Sequence, residues 1–221
     1  MCGRYTLGDS HNLFRRFHID DGGLEVADRF NVAPTQCMPV VIRETTNKLA
    51  LMQWGLIPVW AKGPKASSGL INARIEGIQN KPTFRGPVRK HRCLVPCDGF
   101  YEWKKEKGRK TPYYICRKDR QLFALAGIYE LRDAPASEGA GSYAILTTHP
   151  NELMEPIHNR MPVILEEGLE DSWLDIGSTD ITRLLDRLEN PFAADQLQAY
   201  PVSIKVNTPA FDFPGLLQKM E

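Results

Sequence analysis

Short runs rich in β-branched and aromatic residues recur along this 221-residue chain, and they favour a fold built mainly from strands. Such runs lie at 38–43 (MPVVIR), 92–104 (RCLVPCDGFYEWK), 123–131 (FALAGIYEL) and 142–148 (SYAILTT). Runs of this composition, bounded by glycine, proline or charged residues, are typical of β-strands. Residues 101–118 (YEWKKEKGRKTPYYICRK) alternate on both sides of a glycine-containing turn, which predicts a β-hairpin.

Helical patterns are fewer and shorter than the strand patterns. The spacing of apolar residues predicts helices at 9–17, 167–175 and 180–188, and one or two turns at 151–157. The sequence shows no alternation of strands and helices that would indicate βαβ units. We therefore predict that residues 1–221 form a single α+β domain, with a mostly antiparallel sheet and small helices packed around it.

Composition excludes several classes of protein. Hydrophobic residues make up 42% and charged residues 25%, which is typical of a globular domain and not of a disordered chain. No apolar run approaches the ~20 residues that a membrane helix needs, and no secretory signal is visible. We therefore expect a cytoplasmic protein that does not enter a membrane.

Cofactor and metal sites are also not expected. The five cysteines are scattered, which argues against a disulfide framework, and no Cys/His set has the spacing of metal ligands. No glycine-rich phosphate-binding motif is present, so neither a nucleotide nor another cofactor is expected.

We expect the protein to be a monomer.

The formal net charge of +1 hides a marked asymmetry along the chain. Residues 81–120 carry thirteen Lys and Arg against four Asp and Glu, a net charge of +9, whereas residues 151–200 carry −8. A basic stretch favours a polyanionic partner, usually bound through phosphates. The heptapeptide KKEKGRK (104–110), taken alone, is more typical of a solvated hairpin turn.

Cys2 carries the most distinctive chemistry in the sequence. If Met1 is removed, Cys2 bears a free α-amine beside its thiol, a pair that no internal residue can supply. Roughly 10–15% of such an α-amine is neutral at pH 7 and can attack an aldehyde to form an imine. The thiol can then close a five-membered thiazolidine intramolecularly. Taken alone, a cysteine that merely follows the initiator methionine is the plainer explanation.

Three further polar residues interrupt apolar stretches: Asn72 in LINAR, Glu102 in GFYEWK and His158 in PIHNRMP. A carboxyl group beside aromatic surface and an imidazole can both transfer protons. Each also has a structural explanation: a turn residue, an exposed strand carboxylate paired with lysine, and a loop histidine. Trp60, in WGLIPVW, is either a core residue or an exposed ring that stacks on a base.

These segments belong to an ordered series that covers residues 1 to about 207. The series comprises MCGRY (1–5), RFNVAPTQ (29–36), WGLIPVW (54–60), INARIE (71–76), RCLVPCDGFYEW (92–103), AGIYE (126–130), TT (147–148), HNRMPVIL (158–165) and PVS…VN (201–207). It resembles the SOS response-associated peptidase (SRAP) family, the abasic-site-processing proteins that crosslink to damaged DNA. The resemblance implies curved, mostly antiparallel β-sheets, barrel- or sandwich-like, with small peripheral helices.

The resemblance also implies a function. The protein would bind single-stranded DNA that contains an abasic site, and Cys2 would bond to the ring-opened sugar through a thiazolidine that shields the lesion. Asn72 would orient the sugar or Cys2, Glu102 would be the general acid/base, and His158 would promote opening of the deoxyribose ring. The implied DNA-contacting residues are Arg4, Arg74 and Arg160 at phosphates, Asn31, Pro34 and Trp60 along the groove or against bases, and Thr148 at the backbone.

Two other functions remain open at this point. Class II glutamine amidotransferases also begin with Met-Cys-Gly, so Cys2 could be the nucleophile of an amidohydrolase, or of a thiol peptidase that removes Met1 from its own chain. A non-enzymatic alternative is a single-strand-binding module that uses the basic stretch at 81–120. Covalent attachment to DNA through Cys2 distinguishes the family's function from both alternatives.

Overall fold

The structure is a computed structural model that describes residues 2–20, 25–61, 69–132, 140–177 and 180–220. Its strands are β1 (Arg4–Leu7), β2 (Arg29–Val32), β3 (Cys37–Arg43), β4 (Asn47–Trp54), β5 (Asn72–Arg74), β6 (Arg92–Cys97), β7 (Gly99–Glu106), β8 (Arg109–Arg117), β9 (Phe123–Leu131), β10 (Gly141–Thr148), β11 (Met161–Pro162), β12 (Ile164–Leu165) and β13 (Leu197–Pro201). Its α-helices are α1 (Leu13–Arg16), α2 (Pro87–Lys90), α3 (Glu167–Leu174) and α4 (Ile181–Glu189).

The strands form a closed barrel and a second, open sheet. In the barrel β10, β4, β3, β6 and β9 pair in turn, and β9 pairs again with β10. Strand β10 runs parallel to β4 and β5, whereas the other strand pairings are antiparallel. The open sheet has the order β13-β8-β7-β1-β2. The predicted α+β fold of curved, mostly antiparallel sheets with small helices is confirmed, while the assignment of all of 1–221 to one domain stays a prediction.

Most predicted elements form close to their expected positions. Strand β9 has the predicted bounds, and strands β7 and β8 form the predicted hairpin. The run at 92–104 divides into β6 and β7 at Asp98, whose carboxylate accepts hydrogen bonds from the Thr6 hydroxyl and from the Gly8 backbone N–H (2.7 Å). This carboxylate therefore ties β1 to the turn between β6 and β7.

The helices are as small and peripheral as the sequence predicts. Helices α3 and α4 match the predictions, and the Asp180 side chain caps α4 by accepting from the backbone N–H groups of Thr182 and Arg183. The helix predicted at 9–17 is split into a 3₁₀ turn and the short α1. Residues 151–157 form hydrogen-bonded turns without a continuous helix. No helix in the described ranges is both long and apolar enough to cross a membrane.

A buried aromatic cluster joins the two sheets near the N-terminus. The hydroxyl oxygens of Tyr5 in β1 and Tyr143 in β10 lie 2.7 Å apart. The Trp54 ring packs edge-on against Tyr5, at 5.2 Å between ring centroids, and stacks with Tyr143 at 6.5 Å. Such packing contributes beyond the area it buries. Because all three side chains are buried, they hold the start of the chain against the barrel.

The outer face of the open sheet carries a smaller apolar cluster, which the C-terminal segment covers. Tyr101 and Tyr114 pack there with residues from β13 and the following segment, which are Tyr200, Val202 and Val206. The C-terminal segment therefore lies beside strands β7 and β8, close to the start of β1.

Candidate active site

Cys2 lies just before β1 and has no exposed surface. Its backbone carbonyl accepts a hydrogen bond of 2.9 Å from Nδ2 of Asn72 in β5. Because β5 pairs with the barrel strand β10, this bond holds Cys2 against the barrel. The other amide atom of Asn72, Oδ1, is buried and has no hydrogen-bond partner among the described residues, so it can accept from a bound molecule or from the amine of Cys2.

Glu102 of β7 is the charged group beside Cys2, and only 4% of its surface is exposed. Burial, together with the negative charge of Glu102, raises the pKa of the Cys2 thiol to about 12. The thiol is consequently protonated at neutral pH and needs a base before it can act as a nucleophile. Glu102 is the carboxylate in place to take that proton.

His158 completes a row of three groups. Its Nε2 atom lies 4.0 Å from Oε1 of Glu102, and its Nδ1 atom accepts a hydrogen bond of 3.1 Å from the backbone N–H of Arg160. The same Nδ1 atom also lies 3.3 Å from the carbonyl oxygen of Arg160, to which it donates in the other tautomer, so the proton of the neutral ring can be on either nitrogen. The Nε2 atom faces Glu102. The order of groups is therefore thiol, carboxylate and imidazole, which suits a site that moves protons.

Arg160 is engaged within the protein. Its guanidinium forms a two-point ion pair with Glu76, with Nη2 2.9 Å from Oε2, and also donates to the carbonyl of Thr147. Burial disfavours the charged form of Glu76, but the hydrogen bonds from Arg160 hold the pKa of this carboxyl below its usual value. The Arg160 charge, which we predicted at a phosphate, is thus already offset by a carboxylate. In this arrangement the side chain fixes the loop that carries His158.

Arg4 and Arg74 differ from Arg160, since neither pairs with a carboxylate in the described part of the chain. Arg74 ends β5 and is exposed. Arg4 is half-buried, and its guanidinium donates to the backbone carbonyls of Gly3 (3.2 Å) and Asn207 (3.4 Å). Burial lowers the pKa of Arg4. These two cations flank the residues around Cys2 and carry charge that a phosphate could offset.

Asn31 and Thr148 are both buried, and both side chains bind backbone carbonyls inside the protein. The Asn31 amide donates to the carbonyls of Val206 (3.2 Å), Thr208 (3.2 Å) and Phe211 (2.8 Å). The Thr148 hydroxyl donates to the carbonyl of Glu189 at 2.6 Å, at the end of α4. Neither side chain has the exposed surface that its predicted DNA contact would need, so their visible role is to hold the C-terminal segment and α4.

We predict that Asn31→Ala lowers the free energy of unfolding by about 2–4 kcal/mol, because the carbonyls of Val206, Thr208 and Phe211 lose their donor and the first of these bonds is fully buried. Urea unfolding followed by circular dichroism measures this loss. The exposed Asn80→Ala, in a 3₁₀ turn, is the control and should change the midpoint little. An unchanged midpoint combined with weaker DNA binding would instead support the predicted direct contact of Asn31 with DNA.

Pro34 and Trp60 occupy different environments. Pro34 is partly buried in the turn after β2, whereas Trp60 is 67% exposed and its neighbour Val59 is 71% exposed. A large aromatic ring exposed next to an apolar residue contributes little to the core and is suited to stacking on a base. Trp60 is therefore an exposed ring and not a core residue.

The sequence alone missed two residues that shape the site. Glu76 anchors Arg160, and Asn207 contacts both Arg4 and Trp103. Glu76 and Asn207 lie inside segments of the series described above, INARIE and PVS…VN, but their partners are distant in sequence.

No group of His, Cys, Asp or Glu able to hold a metal ion occurs within the described ranges.

Comparison with known proteins decides the family. The sequence matches the profile of the SOS response associated peptidase (SRAP) family over residues 1–209. The chain belongs to this family. It is 42% identical to abasic site processing protein YoqW of Bacillus subtilis, with 99% of each chain covered, and 42% identical to YoaM of the same species, with 98% and 97% covered. It is also 33% identical to abasic site processing protein HMCES of Gallus gallus, covering 77% of this chain and 57% of that one.

Solved structures agree with this assignment. A protein from Bacteroides thetaiotaomicron superimposes with a TM-score of 0.85 at 27% identity and full coverage of both chains. A protein from Bordetella bronchiseptica gives a TM-score of 0.77 at 27% identity, with 92% of this chain and 100% of that chain covered. The predicted family is confirmed. The two solved structures share the fold of this chain over most or all of its length.

Proposed function

We propose that this protein processes abasic sites in single-stranded DNA by forming a thiazolidine between Cys2 and the ring-opened deoxyribose, after Met1 has been removed. The observation that carries the proposal is the row formed by the buried Cys2 and Glu102 and the partly exposed His158, with Asn72 holding the carbonyl of Cys2. Relatives at 42% identity are named abasic site processing proteins, which supports the same substrate.

The first chemical step joins the amine of Cys2 to the aldehyde. The neutral amine attacks the C1′ carbonyl of the open sugar, and the resulting hydroxyl leaves as water to give an imine. A proton must reach that hydroxyl as it leaves, and the Glu102–His158 pair is placed to supply it. In the tautomer with its proton on Nε2, His158 can donate that proton to the ring oxygen as the deoxyribose opens.

The second step closes the thiazolidine ring. The Cys2 thiol, whose pKa is raised to about 12, gives its proton to Glu102 as the sulfur attacks the imine carbon. A carbon–sulfur bond forms, the carbon–nitrogen double bond becomes single, and the nitrogen takes up a proton. The two steps together release one water molecule. The burial of Cys2 sets the reacting groups in place before the DNA binds.

The DNA is held mainly through its phosphates in this proposal. Arg4 and Arg74 supply charge without a competing carboxylate, and the exposed Trp60 ring offers a face for stacking. An abasic nucleotide has no base to read, so contacts with phosphates and with neighbouring bases suffice for binding. Binding is then expected to be independent of sequence and strongly dependent on salt.

The test is intact-mass spectrometry of the protein before and after incubation with a single-stranded oligonucleotide that carries one abasic site. We expect the mass of the chain without Met1, followed by a gain equal to the oligonucleotide minus one water. A protein without Met1 that gains no mass would refute the proposal. Release of ammonia from glutamine by that same protein would favour the amidohydrolase instead. If Met1 is retained, it is removed enzymatically and the incubation is repeated.

A further inference from the structure

The hairpin formed by β7 and β8 has an unusual charge arrangement on one face. Lys105 and Lys110 lie directly opposite each other in the antiparallel register. Like charges at directly opposed positions destabilise a strand pair. Both lysines are exposed, and neither pairs with a carboxylate in the parts of the chain that the structure describes. This repulsion would be relieved by an anion that lies across both side chains.

The other face of the same hairpin carries a carboxylate beside its cations. Glu106 lies opposite Arg109, and the Nζ atom of Lys104 is 3.6 Å from Oε2 of Glu106. The cations on that face therefore have a nearby carboxylate. The face that carries Lys105 and Lys110 has no such carboxylate among the described residues, and this asymmetry distinguishes a binding face from an evenly solvated turn.

This lysine face continues toward the candidate active site. Alternation along β7 places Trp103 on the same side as Lys105. The next residue on that side is Tyr101, which the C-terminal segment covers and which lies opposite Arg4 in β1. Asn207 holds two of these residues, because its Oδ1 accepts from the Trp103 indole N–H (2.8 Å) and its carbonyl accepts from Arg4 (3.4 Å). A half-exposed aromatic ring thus lies between two sources of positive charge.

We propose that Arg4, Trp103, Lys105 and Lys110 form a track for the DNA strand that flanks the abasic nucleotide. The inference rests on the proposed function and adds a second contact region to it. The four residue-to-residue steps from Tyr101 to Lys105 span about 14 Å of strand. A stacked strand rises by about 3.4 Å per nucleotide, so the lysines meet phosphates up to about four nucleotides from Arg4. Trp103 stacks on a base between them.

The test compares two double variants that each remove two cations from opposite faces of one hairpin. Lys105→Ala with Lys110→Ala changes the proposed track, and Lys104→Ala with Arg109→Ala is the matched control. Fluorescence anisotropy measures affinity for an oligonucleotide that carries a stable abasic analogue unable to open to an aldehyde. Because the side chains are mostly solvent-exposed, both variants should fold, and their circular dichroism spectra check this.

We expect the track variant to flatten the salt dependence of binding, lowering the slope of log K against log salt by about 1.4 for two phosphate contacts. The corresponding loss of affinity is about 10- to 25-fold at 0.1 M salt. The control should change the slope much less. With only one nucleotide on each side of the lesion, the wild type and the track variant should bind equally.

Equal slopes for the two double variants, or an undiminished slope in the track variant, would overturn the track. This result would leave the proposed function untouched, because that function is tested by the covalent mass gain. The mass gain with the shortest oligonucleotide does not involve the lysines. A wild-type protein that gains mass while the track variant binds long DNA normally would remove only the track.

Discussion

Replacing Cys2 with alanine is expected to reduce denaturation-resistant attachment to abasic DNA to background. The variant retains an α-amine after removal of Met1, so it can still form an imine with the aldehyde. It has no sulfur to close the thiazolidine, and an imine hydrolyses when the protein is denatured. Borohydride reduction should therefore restore a covalent product in Cys2→Ala by converting the imine to an amine. Denaturing electrophoresis with and without the reductant measures both effects.

Cys37→Ala is the matched control for this prediction, because Cys37 is the exposed cysteine of the described chain whereas Cys2 is buried. If attachment came from general thiol reactivity, the exposed residue would dominate and the control would lose it. We expect the control to attach DNA as the wild type does. Full denaturation-resistant attachment by Cys2→Ala without a reductant would show that the sulfur of Cys2 is not needed for the crosslink, and would refute the thiazolidine.

Local sequence patterns were sufficient to predict the longer strands, but not the short strands and not the way the strands pair. Strand β9 and the β7–β8 hairpin follow from alternation and a glycine turn, which are features of neighbouring residues. The barrel closes through β10, which pairs in parallel with β4 and with the three-residue β5. These pairings join residues far apart in sequence, and a three-residue strand has too few positions to show alternation.

The predicted site residues show the same difference between what local sequence indicates and what distant partners decide. The chemistry of Cys2 could be inferred from its position alone, since a terminal amine and thiol are a covalent property. Whether Asn31 or Arg160 is available to DNA depends on partners far along the chain. Asn31 binds the carbonyl of Phe211, 180 residues later, and Arg160 pairs with Glu76, 84 residues earlier. No local sequence pattern indicates such partners. Only the folded structure shows that Asn31 and Arg160 are bound within the protein, whereas Arg4 and Arg74 have no carboxylate partner among the described residues.

Glu102→Gln is expected to slow crosslinking by about 100-fold or more while leaving affinity for the stable abasic analogue unchanged. Glutamine has nearly the same shape as glutamate, and its Oε1 can still accept from the Trp103 backbone N–H (3.3 Å in the wild type). It cannot take up the thiol proton. Single-turnover crosslinking at saturating DNA measures the rate, and Glu106→Gln, on the exposed end of the same strand, is the matched control.

The sign of this effect separates two roles that the structure gives to Glu102. Its negative charge raises the pKa of the Cys2 thiol, so its removal increases the thiolate fraction and, if charge were its only role, would accelerate crosslinking. A slower variant means that loss of the base outweighs this gain. With the thiol pKa still far above neutrality because of burial, the variant should recover by about tenfold per pH unit as pH rises and thiolate forms directly. The wild type, with Glu102 as base, should depend less on pH, and a variant that is faster at every pH would exclude the base role.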